Sequence, residues 1–277
     1  MKIRATCLLV KERVYPVSMF MFFIKKSFFD GWDHLAGLAL VNVGFLVCLL
    51  PLLATGIPGM PIAASIGVVI FSFLLGSIWF AFSSLVTRKF ADFSDFHFVE
   101  TRETLRSALV PGLQAGLSIL GVAAIVAVGL PFYLGKGPFG GLAAGVIVWA
   151  SLAFLVAFQY FLPLKNRLGG GFLKNVKKSF IVFFDNPGFS LLLFAWSLGT
   201  LLLSTFLAFL IPGGAGVALA HNEAVRLRLR KYDWLEGRAK EGAGSARGPI
   251  PWKELNAEDD ELVGKRTLKG MIFPWKE

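Results

Sequence analysis

Apolar residues run without an Asp, Glu, Lys or Arg through five stretches of the chain: Leu35–Thr55, Ile62–Val86, Ala108–Leu134, Phe139–Leu164 and Gly188–Ile211. Each can cross a bilayer, because a helix needs about 20 apolar residues to span ~30 Å of hydrocarbon. A backbone in lipid must satisfy its own polar groups, so these stretches are predicted to be helices rather than open strands. A second pattern lies between them. Read as a helix, FLKNVKKSFIVFFD at 172–185 puts Phe172, Val176, Phe180, Phe183 and Phe184 on one face, with Lys174, Lys177, Lys178 and Asp185 on the other. Residues 20–34 behave alike, with Phe20, Ile24, Phe28 and Trp32 set against Lys26, Asp30 and Asp33. Helices of this kind lie in the membrane interface, aromatic face in the acyl boundary and lysines toward anionic headgroups. A weaker version, SDFHFVETRETLRSAL at 94–109, precedes the third apolar stretch.

These elements recur in a regular register. Lys26, Arg102 and Lys178 are equally spaced, and the turns GIPGMPIAAS (56–65), GKGPFGGLAAG (135–145) and IPGGAGVALA (211–220) each combine Pro and Gly with small residues in the returning helix. Such repetition fixes architecture. It supplies a sixth span, shorter and more polar, from Gly213 to about Tyr232. The expected fold is therefore all-α, a polytopic bundle of six transmembrane helices arranged as three hairpins, each preceded by an interfacial amphipathic helix. The spans fall at about 35–57, 61–86, 108–134, 138–164, 188–211 and 213–232 within a membrane domain of residues 19–232. Residues 1–18 form an N-terminal extension or reflect a misread start, with translation beginning at Met19 or Met21; residues 233–277 read as a flexible cytoplasmic tail. Gly112–Gly116 and Gly141–Gly145 are GxxxG pairs, suited to close helix packing within one chain or between two.

Composition agrees with a membrane protein: 55% of the 277 residues are hydrophobic, 17% are charged, and the mean hydropathy is +0.66. A net charge of +10 would suit nucleic acid, but its distribution does not. The basic residues flank the apolar stretches, whereas the alternate connections 56–61 and 212–216 carry no charge and 135–138 carries only Lys136. The positive-inside rule then places both termini and the basic segments in the cytoplasm. Lys25, Lys26, Arg102, Lys177, Lys178, Arg226, Arg228 and Arg230 are the expected anchors to anionic headgroups. No nucleic-acid partner is implied.

Candidate chemistry is sparse. The two cysteines, Cys7 and Cys48, offer neither a disulfide framework nor a metal cluster. GLPFYLGKG at 129–137 resembles a phosphate loop but has five residues between its first two glycines where the motif wants four, and Gly137 replaces the Ser/Thr that follows the lysine. No other catalytic pattern is present, so no enzyme, cofactor or metal is expected. Polar residues inside a membrane are costly and often functional. Asn42, Gln114 and Gln159 read as interhelical hydrogen-bonding amides, while His221, Asn222 and Glu223 sit together in the sixth span. Glu223 is the leading candidate for an ion-coupled or substrate-facing carboxylate, or else is neutralised near the cytoplasmic end by Arg226 or Arg230. Asp30, Asp33 and His34 read as interfacial polar residues. In the tail, PWKE occurs at 251–254 and again at 274–277, so Trp252 and Trp275 either dock a cytoplasmic partner or fold back on the inner face.

KKSFFDGWDHL (25–35), LALVNVGFL (38–46), GMPIAAS (59–65), FLKNVKKSF (172–180) and IPGGAGVALAHNEAVRLRLRKY (211–232) together resemble the YesL-like family of bacterial six-span membrane proteins. The resemblance covers roughly residues 25–232. It implies the bacterial cytoplasmic membrane and an accessory or assembly role beside a carbohydrate-uptake complex, with no catalytic residues to carry over. The alternative expectation is a transporter or channel for a small solute or lipid, its path lined by Glu223, His221, Asn222 and Asn42.

Overall fold

In a computed structural model, residues 16–240, 250–263 and 266 are described, and those in regular structure are helical. Five helices are long and apolar enough to cross a membrane, in the segments Leu35–Gly56, Ile62–Ala91, Thr101–Leu134, Gly137–Leu168 and Pro187–Phe206. The first combines α2 (Leu35–Leu49) with a 3-10 extension, Leu50–Gly56, that begins just before Pro51. The second and third are single helices, α3 (Ile62–Ala91) and α4 (Thr101–Leu134). The fourth is α5 (Gly137–Phe158) continued by α6 (Phe161–Leu168), and the fifth is α8 (Pro187–Phe206). The expected sixth span is α9, Gly213–Lys240, which is not among the five.

Two of the three expected interfacial helices are separate elements, α1 (Pro16–Asp33) and α7 (Phe172–Asp185). The third is not. A short 3-10 turn at Phe98–Glu100 leads straight into α4, so TRETLRSAL is the first part of the long helix. Its residues are good helix formers with no glycine to stop them, and Pro111 is accommodated inside the helix. The tail also departs from expectation. Helix α9 carries on to Lys240, and residues 250–263 fold back as α10 (Trp252–Leu255) and α11 (Ala257–Val263). Ile250 and Val263 are buried there, so this part of the tail is packed rather than flexible. The second PWKE motif with Trp275, and residues 1–15 of the N-terminal extension, lie outside the described residues.

Helix α9 is the shaft of the bundle, packed against α1, α2, α3, α6 and α8. Its first turns are Gly and Ala, and small residues let neighbouring helices approach closely. Two apolar clusters meet on it. Ala220, Ala224 and Leu227 join Phe23 of α1, Tyr160, Val182 of α7 and Phe189 of α8. Ala215 and Leu219 join Leu38 of α2, Val86 and Phe90 of α3, and Phe161 of α6. Hydrophobic side chains on the outer parts of α2, α3, α4, α5 and α8 are instead exposed, as expected of surfaces that face lipid.

The two GxxxG pairs differ in use. A Cβ on Gly112 would lie 2.5 Å from the Cα of Ile78, so Gly112 seats α4 directly on the backbone of α3. Gly141 and Gly145 face open space. Gly112→Leu is expected to destabilise the bundle by at least about 1–3 kcal/mol through overpacking. Gly141→Ala should leave stability unchanged or raise it by up to about 1 kcal/mol, since alanine is the better helix former. Thermal unfolding of the two variants in one detergent checks both.

Candidate functional site

The buried polar groups collect along α9, and each reaches a different neighbour. Consecutive helical residues diverge, so His221, Asn222 and Glu223 do not form one site. The ring Nε2 of His221 is 2.9 Å from Ser197 Oγ on α8. Asn222 Nδ2 donates to the carbonyl of Ser84 (2.9 Å) and the hydroxyl of Thr87 (3.1 Å) on α3, and to Ala218 within its own helix. Glu223, fully buried, turns to α1, where Oε2 accepts a hydrogen bond from Ser27 Oγ at 2.8 Å. Its Oε1 is 4.0 Å from Lys26 Nζ and has no hydrogen-bond partner. Lys26 in turn pairs with Asp30 one turn along α1. The counter-charge of Glu223 is therefore Lys26, not the expected Arg226 or Arg230.

This corrects the reading of α1 as a helix with its lysines in the headgroups. Lys26 is 0% exposed and Asp30 3%. A buried charge is costly unless paired and hydrogen-bonded. Burial of Lys26 is tolerated because two carboxylates surround it and its ammonium lies 4.1 Å from the Phe93 ring centre. Lys178 of α7 is likewise buried, and desolvation beside Lys174 holds its ammonium below the ordinary lysine range. Arg228 is buried with its guanidinium 4.6 Å from the Phe189 ring centre. Lys177 and Arg102 are exposed and stay available to a headgroup layer, and Lys25 is half-buried.

Arg226 and Arg230, two further expected anchors, are occupied by the tail. Asp259 of α11 is 0% exposed and receives Arg230 Nη1 at 2.6 Å and Arg226 Nη2 at 3.1 Å. Arg226 also donates to the carbonyl of Ala91 at the end of α3. Trp252 packs on the apolar cluster shared by α1, α8 and α9, which makes the first PWKE motif an internal contact. Arg266 forms a two-pronged pair with Asp33 at the end of α1, at 2.6 and 2.8 Å. The hydrogen bond from Arg266 holds the Asp33 carboxyl below its usual range. Beside this, Lys231 reaches Asp185 at 2.8 Å, with both side chains buried.

Asn42 sits at the opposite end of α9. Its Nδ2 donates to the carbonyls of Leu210 (2.9 Å) and Pro212 (2.8 Å), and its Oδ1 accepts from the amide of Ala215 at 2.9 Å. A Cβ at Gly213 would collide with this carboxamide, and Gly213 has φ +60, so glycine is required on both counts. Ser204 Oγ accepts from the Gly213 amide at 2.9 Å. From this corner an apolar cavity of about 480 Å³ runs alongside α8 and α9, bounded also by α2, α3, α4 and α5 and touched by Ser197, His221 and Gln159.

Of the partners that complete these networks, Asp30 read as an interfacial polar residue, although its spacing four residues after Lys26 is a signal that could have marked the pair. Ser27, Ser84, Thr87, Ser197 and Ser204 carry no signal of their own in the chain. Asp185 and Asp259 belong to charged stretches that read as solvated. Among the described residues, no group of three or more His, Cys, Asp or Glu side chains is placed to hold a metal ion. Comparison of the chain with protein-family models, curated proteins and solved structures gives no match.

Proposed function

We propose that the protein is a non-catalytic integral component of the bacterial cytoplasmic membrane, an accessory or assembly partner of an uptake system. In this reading α2–α3, α4–α5 and α8–α9 are three hairpins entering from the basic face, which returns both termini to the cytoplasm. The distribution of Lys and Arg supports that orientation. The carbohydrate context comes from the resemblance to the YesL-like family alone. One observation carries the accessory role: the polar side chains of α9 are engaged as internal fasteners between helices, and the tail closes over its cytoplasmic end.

The test is in-cell crosslinking and recovery through an N-terminal tag, with the intact chain and with a chain ending after Lys240. A transport permease recovered in stoichiometric amount with the intact chain, and lost on truncation, is the expected result. Truncation removes Asp259, which Arg226 and Arg230 share; a drop in thermal stability should accompany it. A second reading, a transporter, is favoured by the unpartnered Oε1 of Glu223 and by the cavity that reaches His221. Recovery of the protein only with itself, together with solute flux into proteoliposomes that Glu223→Gln abolishes, would replace the accessory reading with that one.

A further inference from the structure

We infer that α8–α9 is a re-entrant hairpin: it enters from the basic face, turns inside the hydrocarbon core and returns without reaching the other side. This deepens the orientation proposed above and rests on it for which face is cytoplasmic.

The depth follows from two independent rulers. Asn42 of α2 holds the tip of the hairpin, at Leu210, Pro212 and Ala215. From Asn42, α2 and its 3-10 extension run on to Gly56, which adds roughly 20–25 Å at 1.5–2.0 Å per residue. The second ruler is α3, which runs parallel to α9. Asn222 is level with Ser84, and Arg226 with Ala91. Nine residues back from Asn222, Gly213 is level with about Leu75, whereas α3 continues to Ile62, roughly 20 Å further. Both place the tip about 20 Å below the α2–α3 turn, within a core of ~30 Å.

Helix α8 has the length of a span, but it is displaced toward the basic face. Its first turn begins level with Arg228, where Phe189 meets the guanidinium, and it ends beside Gly213 through Ser204. The tip is built for lipid. Leu207–Ile211 reads LAFLI and exposes Leu207, Phe209 and Leu210, whereas the taller turns contain Gly59 or Lys136. Non-helical backbone inside a membrane persists only where protein groups satisfy it. Asn42 and Ser204 do so here, taking two carbonyls and two amides between them.

The test uses the full chain with Cys7→Ser and Cys48→Ala and single cysteines at Ile57, Lys136, Phe209 or Lys240. A membrane-impermeant maleimide is applied to intact cells and to inverted vesicles. Ile57→Cys and Lys136→Cys should label from outside and Lys240→Cys only in inverted vesicles. Phe209→Cys should label at least about tenfold more slowly than these from either face. A nitroxide at the same position should collide with oxygen more than with a water-soluble nickel chelate, the reverse of the label at Ile57. Labelling of Phe209→Cys from outside at the rate of Ile57→Cys would overturn the inference in favour of a full sixth span. Rapid labelling only from the inside would overturn it in favour of a hairpin outside the core. If Ile57 and Lys240 exchange faces while Phe209 stays protected, the orientation fails and the re-entrant depth stands.

Discussion

Lys26→Met is expected to destabilise the protein by roughly 3–5 kcal/mol, the usual cost of removing one partner from a buried ion pair. Methionine fills much the same volume, so the loss reports charge rather than packing. Two carboxylates, Asp30 and Glu223, share this one ammonium in a site closed to solvent. Without it two buried carboxylates are left with no cation between them. Glu223→Gln should behave differently. It removes one of two negative charges competing for a single cation and keeps an oxygen that accepts from Ser27. Its stability should fall within about 1 kcal/mol of the parent, since the lost Lys26 contact is long and a neutral hydrogen bond contributes about that much net. Thermal unfolding of both variants in the same detergent separates them. A Lys26→Met protein as stable as the parent would show that the α1–α9 contact does not depend on this charge.

Asn42→Leu should be comparably severe. One carboxamide satisfies three backbone groups of the hairpin tip, and leucine of similar size satisfies none of them. Leaving a buried polar group unmatched costs about 1–3 kcal/mol each, so a loss of roughly 3–9 kcal/mol is expected. Asn42→Asp gives the sharper comparison. It retains the acceptor for the Ala215 amide but has no donor for the carbonyls of Leu210 and Pro212, and it adds an unpaired charge. It should be no better than leucine. Protease cleavage within 207–212 in detergent should rise in both variants, whereas cleavage at the α2–α3 turn should not. Equal cleavage at both turns would indicate general unfolding rather than release of the tip.

The five apolar helices were legible because insertion is decided by composition over about 20 consecutive residues, a local property. Helices α1 and α7 were legible as amphipathic for the same reason. Their orientation was not. A charged stripe such as Lys26, Asp30 and Asp33 reads identically whether it meets water, headgroups or a carboxylate nearly two hundred residues away. Glu223 stood out as a buried carboxylate, yet the nearby arginines on its own helix were the natural partners to choose. Those arginines share the side of α9 that carries Glu223 but lie one and two turns further along, where they meet the Ala91 carbonyl of α3 and Asp259 of the tail instead. The tail's glycines and charges hid Asp259, whose burial depends wholly on two guanidiniums already in place.

By itself, then, the sequence determined which long apolar segments are helical and suited to a membrane, and where basic residues gather. Each of these is summed over neighbours along the chain. Only the tertiary structure decided that α9 is the shaft, that Lys26 and Asp259 are buried, and that Asn42 fastens the turn between α8 and α9. Those outcomes depend on groups meeting across long stretches of chain. A buried charge or a bare turn is stable only once its distant partner is there to satisfy it.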